Sequence, residues 1–405
     1  MGRTLSQPSS GKTRERLGAR GLLLALLLLA LPVTAAPYRP TDDGQILEYL
    51  PTARDASLRE LRRLHAELAR TPRDLAFALR VASADIDVAR AQTDPRYNGY
   101  AEAALAPWIG LPSPPPAVLV LRATLRQSRH DFAGAMTDLN AALAVDPRNA
   151  QARLIRAVIL VVEGDYDAAL GNCLSLGLEV EPLVTETCIA SVRSVHGMAA
   201  SSRALLQSAL ARPGATAQIR LWALTILGET DARLGDGEAA ERHFRQALSL
   251  GLRDTYLLGA YGDFLLDADR PQEVRSLLRD ETRIDPLLLR LALAEQALGA
   301  AELEGHVADL RERFAACRQR GDTSHQREEA RFALYLLKDR KEALRLAQAN
   351  WAQQREPWDV RILLEASLAA GAPGAARPAL DWLATAHLED ERVQALAAKL
   401  ARAAS

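Results

Sequence analysis

The groups that could do chemistry are few and scattered. The seven histidines include no His-Glu-x-x-His pair, the spacing that would aim two imidazoles at zinc from one helix face. The three cysteines include no Cys-x-x-Cys, and no Gly-x-Ser-x-Gly elbow is present to hold a nucleophilic serine. His196, in VRSVHGMAAS, has serines nearby, but at a helix end it reads as a cap or surface residue. Asp267 and Asp269 lack the downstream Gly and Glu of a calcium loop and read as a turn. Gly11-Lys12-Thr13 ends like a phosphate-binding loop, yet Ser6 stands where its first glycine is required and no strand precedes it. These residues assign no catalytic group, and neither a metal nor a cofactor is predicted.

The elements that would position any site are helical by composition. The 405 residues are 48 % hydrophobic and 25 % charged, ordinary for a globular chain with a core. Leu and Ala carry the apolar content, aromatics are only 5 %, and Val and Ile are sparse, which favours helices over strands. A formal net charge of −1 gives no case for nucleic acid. Residues 1–20 carry Arg3, Lys12, Arg14, Arg16 and Arg20 against Glu15, and GLLLALLLLALPV and TAA follow. A basic region, a short apolar run and small residues predict a secretory signal cleaved after about Ala35. The alternative is an uncleaved N-terminal anchor that would tether the chain to a membrane.

The remainder repeats. EGDYDAAL at 163–170 and LGDGEAAE at 234–241 share a Gly-Asp turn followed by an acidic residue and alanines. Their Gly-Asp pairs lie 71 residues apart, about two periods of 34. One unit opens near Pro116 with Leu119, Ala123 and Leu125, continues with Ala135, Leu139 and Ala142, and closes at Asp146-Pro147. The next opens at Ala150 with Ala157 and Leu160, then Ala169 and Cys173. A third opens near Leu221 with Leu224, Leu227, Gly228, Ala240, Phe244 and Ala247, and a fourth runs from Thr255 through Tyr261, Gly262 and Val274 to Pro286.

On these residues the chain resembles the tetratricopeptide repeat (TPR) family, most clearly over 116–182 and 221–286. Asp231 departs from the aromatic residue usual in its slot. The resemblance implies an all-α fold, a right-handed α-solenoid of antiparallel helix hairpins. Each hairpin would depend on its neighbours to bury its apolar face. The predicted organisation is a signal peptide at 1–35 and an extended arm at 36–56. Helical repeats follow at 57–109, TPR-like repeats at 116–286 and degenerate repeats at 287–388, with a capping helix at 389–405. GLPSPPP at 110–116 is either a rigid break or one loop within a continuous stack.

The resemblance also implies a partner. In that family the concave face lined by first helices commonly receives a peptide or a partner's helix. Gln151, Leu154, Trp222, Thr225, Glu229, Tyr256 and Asp263 would stand there, with Thr124, Gln127 and Val158. Some TPR co-chaperones hold a C-terminal carboxylate with basic and amide side chains; here Val120, Thr124, Leu154, Val158 and Thr225 occupy those places. Trp222 and Tyr256 could instead belong to helix-pair cores. The sequence thus points to an exported, periplasmic or secreted scaffold that binds another protein or peptide. A helical-toroid enzyme acting on cell-wall glycan is the reading from another class.

Cys173 falls in the second helix of one unit and Cys188 in the first helix of the next. Both stand about one and a half turns from the connection, so antiparallel packing brings them level. A Cys173–Cys188 disulfide is expected, with Cys317 free and partly buried. The alternative leaves Cys173 as a small apolar filler in the slot that Phe244 takes elsewhere.

Overall fold

The computed structural model describes residues 42, 56–177 and 179–403. The segments predicted as leader and, nearly entirely, as extended arm lie outside these residues. The chain divides into Met1–Ala56 and Ser57–Ser405, and the helices below belong to the second unit, which Ala56 adjoins. All regular structure among the described residues is helical.

Helix α1 spans Ala56–Leu68. Hairpins follow: α2 (Leu75–Gln92) with α3 (Arg96–Ile109), α4 (Pro116–Ser128) with α5 (Phe132–Val145), and α6 (Ala150–Glu163) with α7 (Tyr166–Leu174). Next come α8 (Pro182–Ser194) with α9 (Ala199–Leu210), α10 (Ala217–Arg233) with α11 (Gly237–Ser249), and α12 (Thr255–Asp267) with α13 (Pro271–Leu278). Helices α14 (Asp285–Leu298) and α15 (Leu303–Gln319) form another pair. Helix α16 (Gln326–Arg331) runs into a π-helical turn, Phe332–Leu336, before α17 (Arg340–Trp351). Helices α18 (Pro357–Ala369), α19 (Arg377–Ala386) and α20 (Glu391–Ala403) complete the unit.

Local chemistry explains the hairpins. Three of the second helices start at aspartates that accept amide hydrogens three residues on: Asp131 from Gly134, Asp165 from Ala168 and Asp236 from Ala239. Gly164, which ends α6, has φ +84°, the left-handed conformation that costs other residues most. Small residues then bring paired helices together. A Cβ at Gly228 of α10 would lie 2.9 Å from the Phe244 ring of α11. At 110–116 the apolar core runs across the prolines, because Leu105, Val118 and Leu125 share one cluster. The prolines therefore form one loop within continuous packing. The Cys173–Cys188 disulfide joins α7 to α8 with a Cα–Cα separation of 5.5 Å, while Cys317 is free and buried.

The C-terminal helices return to the middle of the stack. Ala157, Leu160, Tyr166 and Cys173 share a core with Val360, Leu363, Leu383, Val393 and Leu400. The capping helix α20 thus does more than cover a free end: it packs on α18, and residues just before and within it meet earlier hairpin turns. Along the way the segment meets the turns of successive hairpins in order. Gln354 pairs with His130, and the Arg355 amide donates to the Val162 carbonyl. Near Gly197 lies His387, near Gly235 lies Glu391, and Arg392 pairs with Asp267 at the end of α12. The turn glycines at 164, 197 and 235 leave room for this approach; a Cβ at Gly197 would lie 3.1 Å from His387 Cβ.

Candidate binding site

First helices of six hairpins and the returning segment line a partly open cavity of about 930 Å³. Its wall includes Gln127 of α4, Gln151, Leu154 and Val158 of α6, Ser191 of α8, and Trp222 and Glu229 of α10. Tyr256 of α12 faces them, and Arg355, Glu356, Trp358 and Arg361 of the C-terminal segment close the far side. The volume falls near the top of the range of about 300–1,000 Å³ usual for ligand sites.

Of the ten residues that the sequence places on the concave face, all but Thr124 line this cavity, although two of those are engaged in the fold. Thr225 is 2 % exposed and donates its hydroxyl to the Leu221 carbonyl, closing on its own helix. Asp263 is 5 % exposed and lies between two arginines, 2.5 Å from Arg290 and 2.7 Å from Arg331. Burial opposes ionisation of Asp263, but the two guanidiniums hold its pKa below the ordinary carboxylate value. Thr124, also placed on that face, is buried and bonds its own helix at Val120.

The others keep surface toward the cavity. Gln151 and Val158 are exposed to the cavity, and Leu154 and Trp222 are partly buried at its wall. Tyr256 retains 60 % of its surface while protein surrounds it, because the face it exposes is turned into the cavity. It is therefore a wall residue and no part of a helix-pair core. Its hydroxyl donates to the Glu229 carboxylate at 2.9 and 3.2 Å. Burial away from bulk water raises the Glu229 pKa to about 7, against the pull of Arg233 and the Tyr256 hydrogen bond.

The remaining charges are mostly spent on closure. Arg361 holds Asp267 at 2.7 Å, and Arg327 binds both Asp359 at 2.6 Å and Glu356. Trp358 packs under two guanidiniums, with Arg331 at 3.9 Å and Arg361 at 4.1 Å from the ring centre. Aspartates four residues apart on α12 thereby bind the C-terminal layer. The sequence reading missed this layer, since Arg331, Trp358 and Arg361 follow no repeat and pair with residues far along the chain.

One cluster elsewhere offers metal-ligand types. Cys317 Sγ, an Asp322 carboxylate oxygen and a His325 ring nitrogen lie within 4.8 Å of one another. Arg320 donates to Cys317 Sγ, and Asp322 Oδ1 already accepts from the Ser324 amide and hydroxyl. Zinc bonds of about 2.0–2.3 Å would require the three groups to draw together, against a neighbouring guanidinium.

No family model matches the chain, and no curated protein matches it. Solved structures that it matches include the APC/C hetero-tetramer Cut9-Hcn1, at 13 % identity over 82 % of this chain, with a TM-score of 0.47. The chain spans 64 % of the length of that one. A tetratricopeptide repeat protein from Parabacteroides merdae matches at 13 % identity over 76 % of this chain and 98 % of its own, with a TM-score of 0.34. Yeast Tom70 matches at 11 % identity over 81 % and 96 %, with a TM-score of 0.26. In the chain's own packing a first-helix glycine, Gly228, meets a second-helix aromatic ring, Phe244, within capped hairpins. Among the described residues the fold is an all-α helical-repeat solenoid of antiparallel hairpins.

Proposed function

We propose that the protein is an exported interaction scaffold, without catalysis of its own, whose concave groove receives a segment of another protein. Cell-envelope assembly or secretion is the setting we favour. The observation that carries the reading is Tyr256, a large aromatic side chain turned outward from its helix into a cavity on the concave face. Exposed aromatics in recessed walls are the usual anchors of protein interfaces. The Cys173–Cys188 bond is compatible with an oxidising compartment. Asp263, Asp267 and Glu356 are held by arginines, which suits binding better than the paired acid–base work of a glycan-cleaving enzyme.

A photo-crosslinking residue at Val158, which lines the cavity, tests the reading in the cells that make the protein. The control is Val145, 71 % exposed at the end of α5 and outside the cavity lining. Capture of a discrete protein from position 158 and not from 145 is the expected result. Equal labelling from both positions, or none from 158, would reject the groove. The mass of the protein's N-terminal peptide separates a cleaved leader from a retained anchor.

A further inference from the structure

Glu229 differs from the other acids of the cavity in what it meets. Asp263 and Asp267 each lie between arginines, and Glu356 meets Arg327. Asp254 and Asp390 cap helices by accepting the Leu257 and Val393 amides, and the Glu391 carboxylate lies against the backbone at Gly235. Glu229 meets a neutral hydroxyl, that of Tyr256. The arginine one turn along α10, Arg233, is directed elsewhere: its guanidinium donates to Ser194 Oγ at 3.0 Å and to Thr230 Oγ1 at 3.4 Å.

Glu356 and Asp263 are the carboxylates whose fields reach Glu229, although each is itself held by arginine, and Arg233 is the cation that opposes them. Trp222 lies seven residues before Glu229, two turns along the same face of α10, and Tyr256 faces them from α12. A carboxylate that lacks a paired cation in a recessed site gains most from one supplied from outside. Aromatic faces add attraction for a cation and apolar contact for its alkyl stem.

We propose that Glu229, with Tyr256 hydrogen-bonded to it and Trp222 two turns away on the same face of α10, is the recognition point for a lysine or arginine side chain of the segment that occupies the groove. The inference rests on the groove-binding reading and adds the charge of the occupant. Ligand binding would move the Tyr256 hydroxyl into a shared role, with the carboxylate accepting from both the phenol and the incoming cation.

The probe is four pools of N-acetylated, C-amidated nonapeptides. Their central residue is lysine, arginine, norleucine or glutamate, and the other positions are randomised over Leu, Ala, Ser and Gln. Retention on the immobilised full chain is measured near pH 7.5. The lysine and arginine pools should be retained about tenfold over the norleucine pool, the size of one charge-assisted hydrogen bond. Glu229→Gln, which still accepts from Tyr256, should reduce that ratio to near one. Equal retention of lysine and norleucine pools by the unmodified protein would overturn the cation inference alone. So would a cation preference that survives Glu229→Gln in a variant with an unchanged melting temperature. Retention of no pool would overturn both this inference and the groove itself.

Discussion

Gly228 and Gly171 both sit inside helices, yet alanine should act on them in opposite directions. At Gly228 a Cβ would lie 2.9 Å from two carbons of the Phe244 ring and 3.0 Å from a third. Carbon pairs rest at about 3.5–4.0 Å, so the ring or the helix must withdraw by about half an ångström or more. The ring has little freedom, because Phe244 is buried between Tyr261 and Phe264, with centroids 5.4 and 5.7 Å away. Overpacking of this kind costs about 1–3 kcal/mol, and removing a helix-interior glycine returns about 1 kcal/mol. Gly228→Ala should therefore destabilise by about 1 kcal/mol net, within a range from zero to about 2. A Cβ at Gly171 of α7 would meet nothing within 4 Å, so Gly171→Ala should stabilise by about 0.5–1 kcal/mol. Urea melts read both changes as shifts of the midpoint at constant slope. Adding Phe244→Leu to Gly228→Ala should cost less than the two single losses combined, since the shorter side chain yields to the new methyl. If Gly228→Ala stabilises as much as Gly171→Ala, the close approach of α10 and α11 is not what the glycine serves.

Other outcomes follow from the ion pairs, the disulfide and the cavity acid. Asp263→Ala strands two buried guanidiniums and should cost more stability than Arg331→Met, which leaves Asp263 with Arg290 and should cost up to about 3 kcal/mol in the same melts. Replacing Cys173 and Cys188 with alanine should remove about 3 kcal/mol by the chain-entropy relation for a separation of 15 residues, and peptide mapping without reductant should recover the linked pair. Glu229 titrates near 7 in the fold and near 4.5 when unfolded, so between those values the folded chain holds more protons. Its contribution to stability therefore falls as pH rises from about 4.5 to 7, and Glu229→Gln should flatten that part of the profile of melting midpoint against pH. Added zinc should leave the melting temperature unchanged, because Arg320 holds Cys317 Sγ; a rise abolished by His325→Ala would show that the cluster closes on the ion.

The hairpins were legible because their rules are local. A Gly-Asp pair marks the turn from α6 to α7 and that from α10 to α11, and alanine spacing identifies the close helix faces. The cysteine pairing could be read too, since both residues stand at comparable distances from one connection. Residues on the concave face could be placed by register, but register does not say which side chains remain available. Thr225 turns back to its own backbone, and Asp263 is claimed by Arg331, 68 residues later. That pair and Arg361 with Asp267, 94 residues apart, follow no period, so the return of the C-terminal segment left no mark in the pattern. The π-helical turn at Phe332–Leu336 is likewise absent from the spacing of apolar residues, although it lies between Arg331, which binds α12, and the segment that leads into α17.

The ordered meeting of the C-terminal segment with the hairpin turns also limits how such a chain can evolve. Tandem repeats ordinarily grow or shrink by whole units, because each contacts only its neighbours and a duplication merely lengthens the stack. Here Gln354 reaches the turn at 130, Arg355 the one at 164, His387 the one at 197 and Glu391 the one at 235. Duplicating or deleting one hairpin between α4 and α12 would move every later turn by one place relative to partners spaced along a different part of the chain. Arg392 would then face the wrong turn while Gln354 kept its own. The number of hairpins in this stretch is thereby tied to the length of the segment that returns across them, and change in either requires change in both.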